Sequence, residues 1–316
     1  MGQTLSEPNK EKYTSSDNDA RILHASSAMQ GWRISMEDAH TAKLKLLDKK
    51  GYSYFGVFDG HGEQNVANYS GKNLHIRIAK DNKIETDIET AIKNSFLGTD
   101  DDMKNDPKLK VDPSGCTDII AIATPDNVIY VGNAGDSCAV LSDDGIAIPM
   151  SDDHKPDNPG NLALSCALGD FEFKQNTNLS IENQIVTGIW DCLKSQDLVS
   201  FICKNIAEYK DLKKACEDLM ERCLSKTSEG IGTDNMTVTI VGFLHNKTET
   251  DWYTWMESRY GVIGPEYIDN SYESDVLMTK IINFELSVNE INLMLHLFGL
   301  RYLNNRSLKV DDFILF

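Results

Sequence analysis

Residues 55–62 read Phe-Gly-Val-Phe-Asp-Gly-His-Gly, and this stretch decides how the rest of the chain is interpreted. It completes an aromatic and β-branched run that begins at Tyr52 and stops at an Asp-Gly turn signal. We therefore predict a strand over residues 52–58 that ends at a glycine-rich turn. Similar patterns predict strands at Ile119–Ala123, at Val128–Val131 after the turn Pro125-Asp126-Asn127, and at Val238–Phe243.

Helical patterns alternate with these strands. Thr86-x-x-Glu89 has the capping-box pattern, and apolar residues follow it at four-residue spacing. A second helical region covers residues 196–223, with Asp211 as a break or cap between its halves. Ser287-x-x-Glu290 predicts a short helix that ends at Gly299.

The composition and hydrophobic pattern divide the chain into three regions. Residues 1–20 are polar and predict a flexible lead-in, and residues 21–245 carry the strand and helix patterns of a folded domain. Residues 246–316 carry no chemical motif and predict a C-terminal extension with a helical segment, which packs on the domain or docks a partner.

Composition limits the classes of partner. The net charge of −18 and the pI near 4.7 exclude nucleic acid, because phosphate-backbone binding needs clustered Lys and Arg. The seven cysteines form no C-x-x-C pair, which argues against zinc knuckles and disulfides and favours a reducing compartment. No apolar run approaches the roughly 20 residues of a bilayer span. We predict a monomer in the cytoplasm, with the nucleus and a membrane surface as further locations.

The N-terminus carries a lipidation pattern. Residues 1–6, Met-Gly-Gln-Thr-Leu-Ser, fit M-G-x-x-x-[ST], which predicts myristoylation at Gly2. A chance match is the open alternative. One acyl chain gives only weak, reversible membrane association, and Lys10 and Lys12 are too few for a polybasic second signal.

Acidic residues stand beside glycines at the predicted strand ends. The set is Glu37, Asp38, Asp59, Asp136 and Asp234. Carboxylates gathered in one place repel one another unless cations neutralise them, and oxygen ligands select Mg²⁺ or Mn²⁺. Two such ions bridged by one carboxylate can activate water and clamp a phosphoryl displacement.

Two basic residues complete this chemistry. The guanidinium of Arg33 matches phosphate oxygens bidentately, and His61 can protonate a leaving alkoxide. Each signal alone has an ordinary explanation: an Asp-Gly pair is more often a turn than a ligand, and a histidine among glycines is usually structural. Their joint occurrence carries the hypothesis.

The motifs resemble those of the type 2C protein serine/threonine phosphatases. Residues 29–40, Met-Gln-Gly-Trp-Arg-Ile-Ser-Met-Glu-Asp-Ala-His, resemble the first family motif, and residues 55–62 resemble the second. Further matches follow in family order at residues 114–117, 131–137, 153–156, 167–170, 188–191 and 232–237. The resemblance covers roughly residues 20–245, and it implies an α+β fold: a β-sandwich of two antiparallel sheets flanked by helices on both faces, with some strands shortened or missing.

The resemblance also implies roles for individual residues. Asp59 would bridge two Mg²⁺ or Mn²⁺ ions, Arg33 would grip the substrate phosphate, and His61 would act as general acid. The other implied ligands of these two ions are Glu37, Asp38, the Gly60 carbonyl and Asp234. Asp136 and Asp191 would support a further, weaker ion.

The sequence departs from the family pattern at several places. Thr187 stands where the family has a metal-binding Asp, and a neutral hydroxyl holds Mg²⁺ less well than a carboxylate. The chain is shortened near residues 159–160 and 186–188. Cys138 and Cys166 replace family arginines, and Asp118 places a charge beside a strand.

Two functions remain open at this stage. The first is metal-dependent hydrolysis of phosphoserine and phosphothreonine on protein substrates. The second is a pseudophosphatase that binds phosphoproteins without turnover, which Thr187 and the shortenings favour. A cysteine phosphatase is disfavoured because no Cys lies in a glycine-rich phosphate loop. A calcium-binding protein is disfavoured because the chain has no EF-hand loop.

Overall fold

The computed structural model describes residues 4–151, 167–171, 174 and 193–261, together with the backbone of 301–302 and 313–315. The strands are β1 Thr4–Asn18, β2 Ile22–Arg33, β3 Ala39–Lys43, β4 Ser53–His61, β5 Gly115–Ala123, β6 Ile129–Ala134, β7 Val140–Asp143, β8 Ile146–Pro149, β9 Leu168–Gly169, β10 Met236–Phe243, β11 Arg301–Tyr302 and β12 Phe313–Leu315. The helices are α1 Asn65–Lys80, α2 Ile88–Asn105, α3 Ser195–Tyr209, α4 Leu212–Cys223 and α5 Glu249–Tyr260, with a 3₁₀ turn at Leu109–Val111.

These strands form two antiparallel sheets. The first has the order β1-β2-β10-β12-β7-β8, and the second has the order β11-β6-β5-β4-β3, with β9 paired to β5 beside it. The β4–β5 pairing runs in register from Ser53↔Ala123 to His61↔Gly115. The β2–β10 pairing runs from Met236↔Met29 to Phe243↔Ile22.

Alternation along β4 explains why the sheets stack. Successive strand residues point to opposite faces. Phe55 and Val57 lie in a buried cluster that also contains Ile22 and Val241 of the first sheet. This cluster fills the space between the two sheets.

The outer faces of both sheets are covered by helices. Tyr54 and Phe58, on the opposite face of β4, pack with residues of α1 and α2 such as Leu74 and Phe96. The first sheet packs its outer face against α3, α4 and α5 in a third cluster. The predicted α+β sandwich with helices on both faces is confirmed, whereas the predicted shortenings near 159–160 and 186–188 lie outside the described residues.

The flexible lead-in predicted for residues 1–20 is wrong for the part that is described. Strand β1 pairs with β2 from Asn18↔Leu23 to Thr4↔Arg33, so the segment is an edge strand. Polar composition did not prevent this, because an edge strand gains its order from backbone pairing and from contacts of its polar side chains. Lys12 Nζ lies 2.6 Å from Glu221 Oε1, and Thr14 Oγ1 donates to Glu217 Oε1 at 2.7 Å.

The helix signals were correct in kind and partly wrong in position. Asp211 caps α4 by accepting from the backbone N–H groups of Lys213 and Lys214, which confirms the predicted break. The start of α2 is capped by Asp87, whose carboxylate accepts from Thr90 N at 3.1 Å, and not by the predicted Thr86. A carboxylate at this position also interacts favourably with the helix dipole.

Residues beyond 245 contribute to the same core. Trp252 and Met256 of α5 are fully buried in the cluster beneath the first sheet, and the backbone of β12 pairs with β10 and β7. The helix predicted to follow Ser287 lies outside the described residues. Among the helices that are described, none has the length and apolar character needed to cross a bilayer.

Candidate active site

Strand ends bring the predicted site residues to one end of the sandwich. Arg33 is the last residue of β2. Asp234 lies two residues before β10, the strand that pairs with β2 in the same sheet. In the other sheet, Asp59 lies near the end of β4 and pairs with Thr117. Asp38 directly precedes β3, whose first residue pairs with Phe58 on β4. The sheet topology therefore clusters side chains that are far apart in sequence.

Arg33 and Asp234 contact each other across this end. The Arg33 guanidinium lies 2.5 Å from Asp234 Oδ2, and both side chains keep solvent access. Gly31 makes the approach possible, because its φ is +67° and a Cβ there would lie 2.6 Å from the Asp234 carbonyl oxygen. The end of β2 and the segment before β10 are thus held together.

Asn235 connects the segment that carries Glu37 to the end of β2 through hydrogen bonds. Its Oδ1 accepts from Glu37 N at 2.9 Å, and its Nδ2 donates to the carbonyls of Gln30 at 2.8 Å and Ser35 at 2.9 Å. The amide thereby meets one backbone group of β2 and two of the loop that follows it. This fixes the chain that carries Glu37 and Asp38.

Gly60 has no room for a side chain. A Cβ at this position would lie 2.2 Å from the Glu37 carbonyl oxygen and 3.1 Å from the Ala67 side chain. Only glycine lets β4 approach the Glu37 backbone this closely. The sequence Asp59-Gly60 therefore serves close packing at the site.

Asp38 is poised to accept a further partner. Its Oδ2 accepts from Thr237 Oγ1 at 2.8 Å, whereas its Oδ1 is shielded from solvent and has no hydrogen-bond partner. Desolvation is the main reason that the pKa of Asp38 rises to about 7, and the charges of Asp234 and Glu37 raise it further. An unsatisfied buried oxygen is costly unless a proton or cation meets it.

Asp59 lies at the centre of this charge. Its side chain reaches solvent, yet packed protein atoms surround it, and desolvation raises its pKa well above the usual value. The charges of Asp38, Asp136 and Asp234 raise the pKa further, and Arg33 opposes them. Asp136 is buried just beyond β6. The four carboxylates therefore share one electrostatic field.

His61, the last residue of β4, contacts a buried carboxylate. Its Nε2 lies 2.9 Å from Asp170 Oδ2 and 3.0 Å from Asp170 Oδ1. The Asp170 side chain is 2% exposed and the His61 side chain 35% exposed, so the imidazole is the member of the pair that faces solvent.

Comparison with known proteins then decides the family. A family model described as protein phosphatase 2C matches residues 22–160 and 159–231. Protein phosphatase 2C homolog 2 of Hypocrea jecorina is 44% identical over 311 residues, covering 82% of this chain and 71% of the relative. The chain belongs to the protein phosphatase 2C family.

A second relative agrees with this assignment, and solved structures share the fold. Protein phosphatase 2C homolog 2 of Schizosaccharomyces pombe is 41% identical over 307 residues, covering 82% of this chain and 83% of the relative. A crystal structure of a phosphatase from Toxoplasma gondii superposes with a TM-score of 0.60 at 21% identity, covering 75% of this chain and 96% of that chain. A serine-threonine phosphatase 2C structure from the same organism gives a TM-score of 0.59 at 15% identity, with 76% and 98% coverage. These structures support the shared fold.

The donor set suits the divalent cations on which the phosphatase 2C family depends. Three observations fit Mg²⁺ or Mn²⁺: the unpartnered Oδ1 of Asp38, the raised pKa of Asp59, and the Gly60 backbone packed against Glu37. Within residues 4–151, 167–171, 174 and 193–261, no three His, Cys, Asp or Glu side chains alone form a metal cage. Asp191 lies outside the described residues, as do Gly2, Cys166 and Thr187.

Sequence reasoning missed the supporting residues of this phosphatase 2C site. Asn235, Thr237 and Asp170 all lie inside motifs that match the family, but their roles depend on partners far along the chain. The Asn-Met-Thr run after Asp234 was a usable signal, because alternate residues of a strand start point to the same side.

Asp118 is placed differently from its prediction. It lies inside β5, without exposed surface, and not beside the strand. Its Oδ1 accepts from Cys116 Sγ at 3.0 Å, since residues two apart share a strand face, and its Oδ2 has no hydrogen-bond partner. Burial raises the pKa of Asp118 to about 8.

Proposed function

We propose that this protein is a metal-dependent protein serine/threonine phosphatase that hydrolyses phosphoserine and phosphothreonine on protein substrates. Membership in the protein phosphatase 2C family supports this activity. The structural observation that carries it is the convergence of Arg33, Asp38, Asp59 and Asp234 at one end of the sandwich.

The carboxylates form the proposed metal site. Asp59 would bridge two ions, with Glu37, Asp38, the Gly60 carbonyl and Asp234 around them. Asp136 and Asp191 would support a further, weaker ion. Bound Mg²⁺ or Mn²⁺ supplies Lewis acidity that activates water and offsets phosphate charge. Crowding of carboxylates around Asp59 supports this assignment, because the charges of Asp38, Asp136 and Asp234 add to desolvation in raising its pKa, and a cation would offset both effects.

Arg33 and His61 act on the substrate in this proposal. The Arg33 guanidinium lies at the mouth of the site beside Asp234, where its fork can bind two phosphate oxygens. His61 exposes its ring to solvent and can give a proton to the leaving serine or threonine oxygen. The substrate phosphate would therefore lie between the guanidinium, the carboxylates and the imidazole.

The test is turnover of a phosphothreonine peptide with and without metal. We expect hydrolysis only with Mn²⁺ or Mg²⁺, loss of activity in Asp59→Asn by more than about a hundredfold, and no effect of thiol alkylation. The matched control is Asp48→Asn, an exposed aspartate in the loop before β4, which should keep full activity. Metal-independent turnover would reject the proposal.

The pseudophosphatase alternative gains no support from the described residues. Its sequence argument concerned Thr187 and the shortened segments, and the two stretches of the family match do meet at residues 159–160. Calorimetry with Mn²⁺ separates the two functions: the absence of binding near millimolar metal would favour a pseudophosphatase.

We also propose that Gly2 is myristoylated and that the protein is a cytoplasmic monomer which binds membranes weakly and reversibly. The pattern of residues 1–6 supports acylation, and a single acyl chain supplies only marginal membrane affinity. Mass spectrometry after coexpression with an N-myristoyltransferase tests it. Wild type should gain one myristoyl group and Gly2→Ala none; an unmodified wild type would refute the assignment.

A further inference from the structure

The pocket that holds the Asp170 carboxylate against His61 is specifically constructed. Asp170 has φ +52°, a left-handed conformation that is strained for non-glycine residues. Its backbone N–H donates to the Ser114 carbonyl at 3.2 Å, at the end of the short β9–β5 pairing. Such a backbone persists only where its surroundings fix it.

Glycine at position 115 makes room for the carboxylate. A Cβ on Gly115 would lie 2.5 Å from Asp170 Cγ and Oδ1 and 2.6 Å from Oδ2, and its three nearest neighbours are all atoms of this carboxylate. A methyl group at this position would therefore displace the Asp170 side chain before any other group. The absence of a side chain at Gly115 on β5 therefore makes room for the carboxylate of Asp170, which directly follows β9.

A second ion pair, between Asp100 and Lys174, anchors the turn that carries Asp170. Asp100 on α2 accepts from Gly169 N at 2.9 Å, and Lys174 Nζ lies 2.8 Å from the same carboxylate. Lys174 also donates to the Ala167 carbonyl at 2.9 Å. Both Asp100 and Lys174 are almost completely buried, so the Leu168-Gly169-Asp170 segment is anchored on both sides.

We propose that Asp170 is a positioning residue that fixes the tautomer and ring orientation of His61 for proton donation to the leaving group. This inference rests on the proposed phosphatase function. An ionised carboxylate only accepts hydrogen bonds, so His61 Nε2 must carry the hydrogen that lies between them. Nδ1 is then the ring nitrogen that faces the substrate oxygen. The donating form of the ring is the imidazolium: as the P–O bond breaks, the proton on Nδ1 passes to that oxygen, and the neutral ring keeps its other hydrogen on Nε2, hydrogen-bonded to Asp170.

The first test reads the tautomer directly and needs neither metal nor substrate. Protein with ¹⁵N-labelled histidine should show His61, assigned by its disappearance in His61→Gln, with its hydrogen on Nε2. In Asp170→Ala, and independently in Gly115→Ala, a population with the hydrogen on Nδ1 should appear. An identical tautomer pattern in wild type and both variants would overturn the inference, whatever the enzyme does.

The second test separates proton donation from general damage. A serine or threonine alkoxide needs a proton to leave, whereas the p-nitrophenolate of p-nitrophenyl phosphate does not. With Mn²⁺ present, Asp170→Asn should lower kcat on a phosphothreonine peptide about 10–100-fold and kcat on p-nitrophenyl phosphate less than about threefold. Equal losses on both substrates, or no loss on either, would refute a positioning role.

Two comparisons sharpen this result. In a His61→Gln background, Asp170→Asn should lower phosphopeptide turnover by no more than about twofold, since residues that act through one another are not additive. Asp143→Asn removes a buried aspartate from β7 in the other sheet and should change both substrates by the same factor. A wild type that turns over neither substrate would reject the phosphatase function, and the tautomer measurement would still decide the role of Asp170.

Discussion

Asp118→Asn is expected to stabilise this protein at neutral pH. Asp118 lies fully buried in β5, with one oxygen bonded to Cys116 Sγ and the other without a hydrogen-bond partner. Burial raises its pKa from 3.8 to about 8; the thiol contact opposes this shift, and the nearby charge of Asp100 adds to it. The carboxyl group is therefore protonated in the folded protein at pH 7 and ionised in the unfolded chain.

The sign and size of the effect follow from this difference. Because the folded pKa is the higher one, the stability that Asp118 contributes is complete below about pH 4 and is lost as the pH rises towards 8. Within that window the folded state binds one more proton, so the free energy of unfolding falls by about 1.4 kcal/mol per pH unit. Between about pH 5 and pH 7, wild type should lose about 3 kcal/mol relative to Asp118→Asn, whose amide cannot ionise and still accepts from Cys116.

Urea unfolding of metal-free protein, followed by tryptophan fluorescence at a series of pH values, measures this difference. Other titrating groups cancel in the comparison of wild type with variant. Asp101→Asn, an exposed aspartate on α2, is the control and should run parallel to wild type. Parallel profiles for wild type and Asp118→Asn would refute the assignment of a raised pKa to this buried group.

Three further outcomes are expected. Gly60→Ala places a Cβ 2.2 Å from the Glu37 carbonyl oxygen and should lower kcat by more than about a hundredfold, whereas Gly71→Ala in α1, with no contact under 3.4 Å, should keep wild-type turnover. Trp252→Ala removes a fully buried indole and should cost about 3–5 kcal/mol in urea unfolding; a loss under about 1 kcal/mol would contradict its place in the core. Thr187→Asp should raise Mn²⁺ affinity about tenfold in calorimetry, and an unchanged affinity would contradict the alignment of Thr187 with a family metal ligand.

The elements that could be predicted from the sequence are those whose own residues decide their burial. Strands β4, β5 and β10 were found because aromatic and β-branched residues alternate with small ones between clear turn signals. Strand β1 was missed because its residues bury little and its order comes from pairing with β2. A polar composition indicates only that few side chains of a segment are buried. Backbone pairing at a sheet edge does not require buried side chains.

The same limit applies to the site. The acids Asp38, Asp59 and Asp234 could be placed together because each lies at or beside the end of a strand, and sheet pairing aligns those ends. The roles of Asn235 and Asp170 could not be predicted, because their contacts join residues 198 and 109 positions apart. Such contacts depend on the packing of complete sheets, which no local pattern encodes.

The arrangement of charge explains how one end of the sandwich can be reactive while the fold stays stable. The three buried apolar clusters occupy the space between and outside the sheets, whereas the crowded carboxylates lie at the strand ends. The Arg33–Asp234 pair is 36% and 55% exposed, so it contributes at most about 1 kcal/mol to stability. Because little folding energy depends on this contact, the proposed transfer of Arg33 to a substrate phosphate and of Asp234 to a cation would leave the surrounding chain folded, since Asn235 holds it independently through three backbone hydrogen bonds.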